Sequence, residues 1–504
     1  MEDLETETAL DHLALLADDS HDHGRPEELQ RALRIGKELE KRDLTRSQAC
    51  RLHYVISNVW GYLYDLQGPQ QTERWDWEQP CIERQILHLR RALADLSPSP
   101  GSDLACRVHT NLANAFDSIG RIVEAFEHWD KALKLDPSFG MAHGNLGIGL
   151  CCYAEHLYDR GHAVVLVKAA HEHVTKAEQS SVRQSFKDGL AKHREQIERF
   201  LDRHYNGAEI RLDGFELGST QEEVDYRKWC LQNRLFLNPL NDLGPYSIAG
   251  RDILTQPSIV VGIDDGPYYA GFFNQMKQEF VSARLLLFEG MQAAGPHYSD
   301  GGVTLYDTLD YPCYGLNVEK VKAAFRVGYS VFDKIAFFLN HYLKLDIQPR
   351  RVSFKTLWYE GDERLRPLFV GRKNLPLRGL FWLSKDLFED RKDFKESMEP
   401  EAQELKKIRN HIEHRYLKLH EDLWRGPNEK ENRVLGGFTD TLAHSLYFTD
   451  FQKKTLKILK LARAGLVYLS LAVRIEERVR ASEADEGTTA MPMTLQLYED
   501  GWKR

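Results

Sequence analysis

The stretch KKIRNHIEHRYLKLH, Lys406 to His420, gathers Arg, Asn, Glu and three His into fifteen residues. Imidazole titrates near neutral pH and can pass protons in either direction. A guanidinium stays charged and grips phosphate with a planar fork. Together they could form the working end of an enzyme. Two other readings of the same residues stand beside this one. Arg409 and Glu413 are spaced to form an ion pair on a solvated helix face. His411, His414 and Glu413 offer metal-ligand atoms, but histidines at i and i+3 need further partners that the sequence does not announce, so no metal or cofactor is assigned.

The element that must carry these residues reads as a helix from about 401 to 419. Leu405, Ile408, Ile412 and Leu419 form its buried stripe. At about 100° per residue, Lys406, Asn410 and His414 share one face, and Arg409 stacks with Glu413 on another. Arg409 and His414 are then about 140° apart, so one straight helix does not aim both at one point. A second copy of the helix across a twofold axis would help.

Three more helices surround it. Tyr268 to Met291 reads as one. In NVEKVKAAFRVGYSVFDKIAFFLNHYLKL, residues Val318, Val321, Phe325, Gly328, Phe332, Ile335, Leu339 and Tyr342 form a seam at steps of three and four, with Asn317 as the expected N-cap. A last helix, 450–480, contains the apolar run Ala464 to Val473 between Arg463 and Arg474. Ten such residues are too few to cross a bilayer, so a buried helix is expected. These helices make a bundle.

RNHIEH, Arg409 to His414, resembles the R-N-x-x-x-H form of the RxxxxH signature of HEPN ribonucleases, all-helical domains of toxins, CRISPR-associated nucleases and phage-defence effectors. The resemblance covers about residues 266–480. It implies a metal-independent endoribonuclease in which two protomers pair their motifs. His414 would be the general base or acid, Arg409 would neutralise the phosphate, and Asn410 would orient either. The products would be a 2′,3′-cyclic phosphate and a 5′-hydroxyl. Asp333 and Lys334 transfer loosely as a second polar shell, and Glu413 as a partner of Arg409.

From Arg350 to Arg378 the chain has eight Arg or Lys against three acids, with Phe354, Trp358, Tyr359 and Phe369 interleaved. Cations that hold phosphate and rings that stack on bases suit single-stranded RNA. The RNA-binding candidates are Arg350, Arg351, Lys355, Arg372, Lys373 and, from the site helix, Lys406. The alternative is a solvated loop above core aromatics.

The front half repeats. Asn111, Leu112, Ala113 and Phe116 correspond to Asn145, Leu146, Gly147 and Leu150, each displaced by 34 residues. That is the period of a helix-turn-helix repeat. Thr110 to Pro137, with Ala125, Trp129 and Ala132 and a turn at Gly120, resembles a tetratricopeptide (TPR) repeat. Its neighbours match less well: Ser57–Leu66 with Glu83–Leu96 before it, and a polar closing helix from Gln179 after it. His109 and His143 recur at equivalent positions and read as packing residues. Such a superhelix would offer a protein or peptide partner a concave face.

The fold class expected is therefore mainly α: an acidic N-terminal segment at 1–24, a TPR-like superhelix at 25–205, a connecting segment at 206–265, a HEPN-like bundle at 266–480 and a tail at 481–504. Both ends are expected to be mobile. The formal charge of −9 excludes a protein that coats nucleic acid over its whole surface. Seven cysteines without CxxC spacing, and an acidic rather than basic start, point to a reduced cytoplasmic protein with no export signal and no membrane span. The functional expectation is an endoribonuclease effector of toxin or antiviral type, a homodimer or higher oligomer acting on RNA. The alternative is a non-catalytic scaffold that binds RNA or nucleotide.

Overall fold

The computed structural model describes residues 2–66, 75–96, 102–262, 265–292, 295–361, 364–388, 402–422, 442–484 and 491–503. It is mainly helical, and no described helix is long and apolar enough to cross a membrane.

The front half is a row of antiparallel helices: α1 (Glu2–Asp22), α2 (Pro26–Leu39), α3 (Arg46–Leu66), α4 (Pro80–Asp95), α5 (Asp103–Ser118), α6 (Ile122–Leu135), α7 (Gly140–His156), α8 (Arg160–Gln179) and α9 (Gln184–His204). The repeat with the best sequence match is the hairpin α5–α6. Ser102 caps α5 by accepting the Ala105 N–H, and Gly120 turns the chain at φ +86°. Ala113, Ala125 and Ala132 let the two helices approach, while Phe116 and Trp129 fill the space between them. Gly147 and Gly149 do the same on α7, where a Cβ would run into Val174 and Trp129. The closing helix is α9, which buries only Leu190 and Ile197. The N-terminal segment is a correction to the sequence reading. It is helical, because Leu10, Leu13 and Ala17 share an apolar core with Leu29, Ala32, Leu52 and Val55 of α2 and α3.

Among the described residues of 206–265 there is one α-helix, α10 (Gln221–Gln232), with two short 3₁₀ helices, Pro239–Asp242 and Ser247–Ala249, and turns that knit the two halves together. Asp242 accepts from buried Arg463 at 2.7 Å and from the Tyr153 hydroxyl at 3.1 Å, while Asp252 accepts both guanidinium nitrogens of Arg284. Each buried arginine is thereby paired and hydrogen-bonded, the condition under which a charge tolerates an apolar interior.

The back half is the bundle α11 (Tyr268–Gln292), α12 (Leu316–Tyr342), α13 (Leu375–Phe388), α14 (Ala402–His414) and α15 (Phe448–Glu483), with an antiparallel pair β1 (Tyr359–Glu360) and β2 (Arg364–Leu365) and a parallel pair β3 (Tyr416–His420) and β4 (Ala443–Tyr447). Every residue of the α12 seam is buried, and Gly328 lets α12 close on Leu459 and Ile458 of α15. The N-cap differs from expectation. Asp300, not Asn317, accepts the Leu316 N–H, at 3.0 and 3.2 Å, and Asn317 donates to the Gly295 carbonyl. The run Ala464–Val473 is buried on all sides, as a helix apolar all round must be.

The two halves share a large apolar core. At their seam Gly120 and Gly379 bring backbones together so closely that a Cβ on Gly379 would stand 2.3 Å from the Gly120 carbonyl oxygen. Asp386 of α13 accepts two bonds from Arg90, at 2.6 and 2.7 Å, and one from Arg121. Burial would raise this carboxyl, but the two guanidiniums hold it well below the usual carboxylate range. Lys385 pairs with Glu83, and Trp77 and Trp382 donate to backbone carbonyls across the seam at 3.1 and 3.0 Å.

Candidate functional site

The site helix is shorter than its sequence pattern suggests. It ends at His414, and the residues read as its last turn form strand β3, paired in parallel with β4 from Tyr416↔Ala443 to His420↔Tyr447. Leu405, Ile408 and Ile412 are the buried stripe, as expected, while Leu419 is buried from the strand instead. The stop has a physical cause. Arg326 of α12 donates to the Ile412 carbonyl at 2.9 Å, satisfying an orphan acceptor of the final turn. Its Nε lies 3.5 Å from Glu413. Glu413 is thus paired with Arg326 rather than with Arg409, a correction to the helix-face reading.

The three histidines of the stretch go to three places. His414 is exposed at the last residue of α14. His411 is buried, its Nδ1 2.7 Å from the Lys407 carbonyl and its ring 5.3 Å from that of His444. Burial, with Lys407 and His411 adding to it, lowers His444 to about 4. His420 belongs to β3 and faces the Asp310 carbonyl at 3.0 Å. The metal set of His411, His414 and Glu413 therefore does not converge, since its members face inward, outward and toward Arg326.

Arg409 is half-buried and reaches α12, where its guanidinium lies 5.6 Å from the centre of the Tyr329 ring. Asp333, one turn further along α12, feels its charge: burial raises the Asp333 carboxyl, while the Phe354 N–H bond and Arg409 pull it back. Asp333 thus lies on the Arg409 side of α12. Lys334 does not share that role; it pairs with Glu279 of α11. Asn410 is half-buried on α14, and Lys406 is half-buried on the turn before it.

The basic segment corrects another expectation. Phe354, Trp358 and Phe369 are 0% exposed and Tyr359 is 8%, so the rings are core and cannot serve as stacking platforms. Arg372 is held by Glu476. Arg350, Arg351 and Lys373 are exposed, and Lys355 is half-buried.

Aromatic residues available to a base lie elsewhere, in a segment the sequence reading passed over. Tyr306, Tyr311 and Tyr314 are exposed and line an open cleft of about 400 Å³ with Leu305, Cys313 and Glu421. The segment is stitched to the strand that follows His414. Tyr314 and Tyr416 share a hydroxyl–hydroxyl bond of 3.1 Å, Lys418 donates to Asp310 at 2.7 Å, and the Cys313 N–H donates to Leu419 at 2.6 Å. Its signal in the sequence was four tyrosines, Tyr298, Tyr306, Tyr311 and Tyr314, with no helical period. Arg326, Tyr329 and Asp333 were also passed over as a group, although their steps of three and four place them on one face of α12.

The fold and the site define a helical bundle that carries Arg, Asn and His on one late helix. Residues 260–476 match the family model of LA2681-like HEPN, which supports placing this part of the chain in the HEPN superfamily. No curated protein matches the chain.

Proposed function

We propose that this protein is a metal-independent endoribonuclease of HEPN type, acting as a regulated effector of the toxin or antiviral kind. The observation that carries the reading is the exposed imidazole of His414 at the open end of α14, in a segment that matches a HEPN family, with Arg409 one and a half turns earlier. In the proposed reaction His414 takes the proton of a ribose 2′-hydroxyl, or supplies one to the departing 5′-oxygen. The 2′-oxygen bonds to phosphorus, the bond to the 5′-oxygen breaks, and the ends are a 2′,3′-cyclic phosphate and a 5′-hydroxyl. Arg409 neutralises the charge that builds on the phosphate, and Asn410 orients the reacting groups.

On one helix Arg409 and His414 diverge, so the proposed site is composite, with two copies of α14 meeting across a homodimer axis. Arg409 is able to take part because its contact with the Tyr329 face costs only about 0.5–1 kcal/mol to release at a partly exposed position. Exposed Arg350, Arg351 and Lys373 would steer RNA, and the tyrosines beside β3 would stack on its bases. The TPR-like half would bind a protein or peptide partner and change how two bundles meet.

A non-catalytic RNA- or nucleotide-binding scaffold is the second reading, favoured by the tyrosine-lined cleft beside β3. Incubation of the full chain with cellular RNA in EDTA separates the two. Cleavage that survives the chelator and falls about 10²- to 10⁴-fold in His414→Ala, roughly 3–5 kcal/mol of barrier, supports the enzyme. RNA that is bound and left intact by the dimer supports the scaffold.

A further inference from the structure

Histidines face each other in pairs across three successive hairpins of the front half. His53 of α3 meets His88 of α4, His109 of α5 meets His128 of α6, and His143 of α7 meets His173 of α8, with Nδ1 to Nδ1 distances of 3.2, 3.0 and 2.8 Å. In the third pair, Nε2 of His143 donates to the Pro137 carbonyl at 2.9 Å, which leaves its Nδ1 as the acceptor for His173. That pair is complete as an imidazole–imidazole hydrogen bond.

The first pair has something the other two lack. Glu40, at the C-terminal end of α2, brings a carboxylate oxygen to 3.6 Å from His53 Nδ1 and 3.9 Å from His88 Nδ1. Among the described residues, this is the group of three potential ligands whose donor atoms all lie within 4.8 Å of one another. Ligand atoms held about 2.0–2.1 Å from a tetrahedral zinc ion stand roughly 3.3–3.4 Å apart. The nitrogen pair already meets that spacing. The carboxylate needs a small inward rotation, and its side chain is 29% exposed.

We propose that Glu40, His53 and His88 form a binding site for a divalent late first-row transition-metal ion, zinc fitting best, that staples α2 to the α3–α4 hairpin. Two nitrogens and one oxygen are the ligand types such ions prefer, and a fourth position is left for water. Opposing the ion is Arg91, whose guanidinium lies 3.7 Å from the same Glu40 oxygen; at 34% exposure it can turn outward to solvent. Arg84 adds positive potential at His88, and Asp95 adds negative potential at His53. The ion would sit where one apolar core, which includes Leu39 and Leu52, adjoins the other, which includes Ile86 and Leu89. This site is separate from α14 and stands whether or not the chain cuts RNA.

The test uses the purified full chain, stripped of metal and titrated with Co²⁺ alone. One equivalent should bind with the visible absorption of a four-coordinate ion, zinc should displace it, and saturating zinc should raise the melting temperature. Glu40→Gln, at an exposed position that does not threaten folding, and His88→Gln should each weaken binding by at least about 10- to 100-fold. His128→Gln should leave it unchanged, and Arg91→Ala should tighten it. Absence of binding by the wild-type chain, or a loss in His128→Gln equal to that in Glu40→Gln, overturns the proposal.

Discussion

The front hairpins and the back bundle are both packed from antiparallel helices, but they keep polar groups inside in different ways. In front, facing imidazoles from adjacent helices bond to each other, as His109 does to His128 and His143 to His173. In the back and along the seam, charges are buried in pairs or larger groups: Arg463 with Asp242, Arg284 with Asp252, and Asp386 between Arg90 and Arg121. The difference teaches where each region is vulnerable. Neutral imidazole pairs fail when protonated, whereas a buried ion pair fails when one member is removed.

The comparison can be broken most strongly at the seam. Asp386→Ala leaves Arg90 and Arg121 without their shared acceptor and should cost about 3–5 kcal/mol. Chemical denaturation of wild type should give one transition; the variant should unfold earlier and in two steps as front and back separate. Gly379→Ala presses a methyl group against the Gly120 carbonyl and should cost about 1–3 kcal/mol by the same measurement.

Acid should tell the regions apart. Burial lowers His109 and His173 to about 4, lowers His143 less, and holds His128 well below its usual range. Lys131 and Arg90 oppose protonation at the second pair, with Glu127 favouring it; at the third, Lys176 opposes it, while Asp130 and Asp136 favour it. Imidazoles depressed in the fold bind fewer protons there than in the unfolded chain, so their contribution is full above about pH 6.5 and declines as pH falls toward about 4. Asp386 and Glu127, whose carboxyls are held low by cations, give way only at more acid pH. Hydrogen exchange followed down the pH scale should therefore show α5–α8 opening before α11–α15. Simultaneous opening would erase the distinction.

The smallest effects belong to the surface. Arg350→Ala with Arg351→Ala should leave stability within about 0.5 kcal/mol and reduce the salt dependence of RNA binding by about one to two charges. An unchanged slope would remove these arginines from the RNA path.

How much was legible follows the range of the contacts. The α5–α6 hairpin and the α12 seam were readable because their evidence is a spacing within one helix or between neighbours. The cap of α12 was not, because Asp300 arrives from sixteen residues away. The end of α14 was misread because Leu419 continues an apolar stripe that fits a helix, while Arg326, 86 residues earlier, stops it by taking the Ile412 carbonyl. Of the site, Arg409, Asn410 and His414 were named from the resemblance of RNHIEH to the HEPN signature, but nothing local revealed that Tyr329 would lie against Arg409 or that Tyr314 would bond to Tyr416.

By itself, then, the order of residues determined that the chain is mainly helical and which faces of α5, α6, α12 and α15 are apolar, since periodicity at 3.6 residues is a property of one element. Tertiary structure decided what those faces meet. It sent His411 inward and left His414 outside, drew Phe354, Trp358 and Phe369 into the core, and set Glu40 beside two histidines from other helices. The reason is that burial and charge pairing depend on groups brought together from distant positions, as with the Tyr468 hydroxyl that accepts the Val123 N–H across 345 residues.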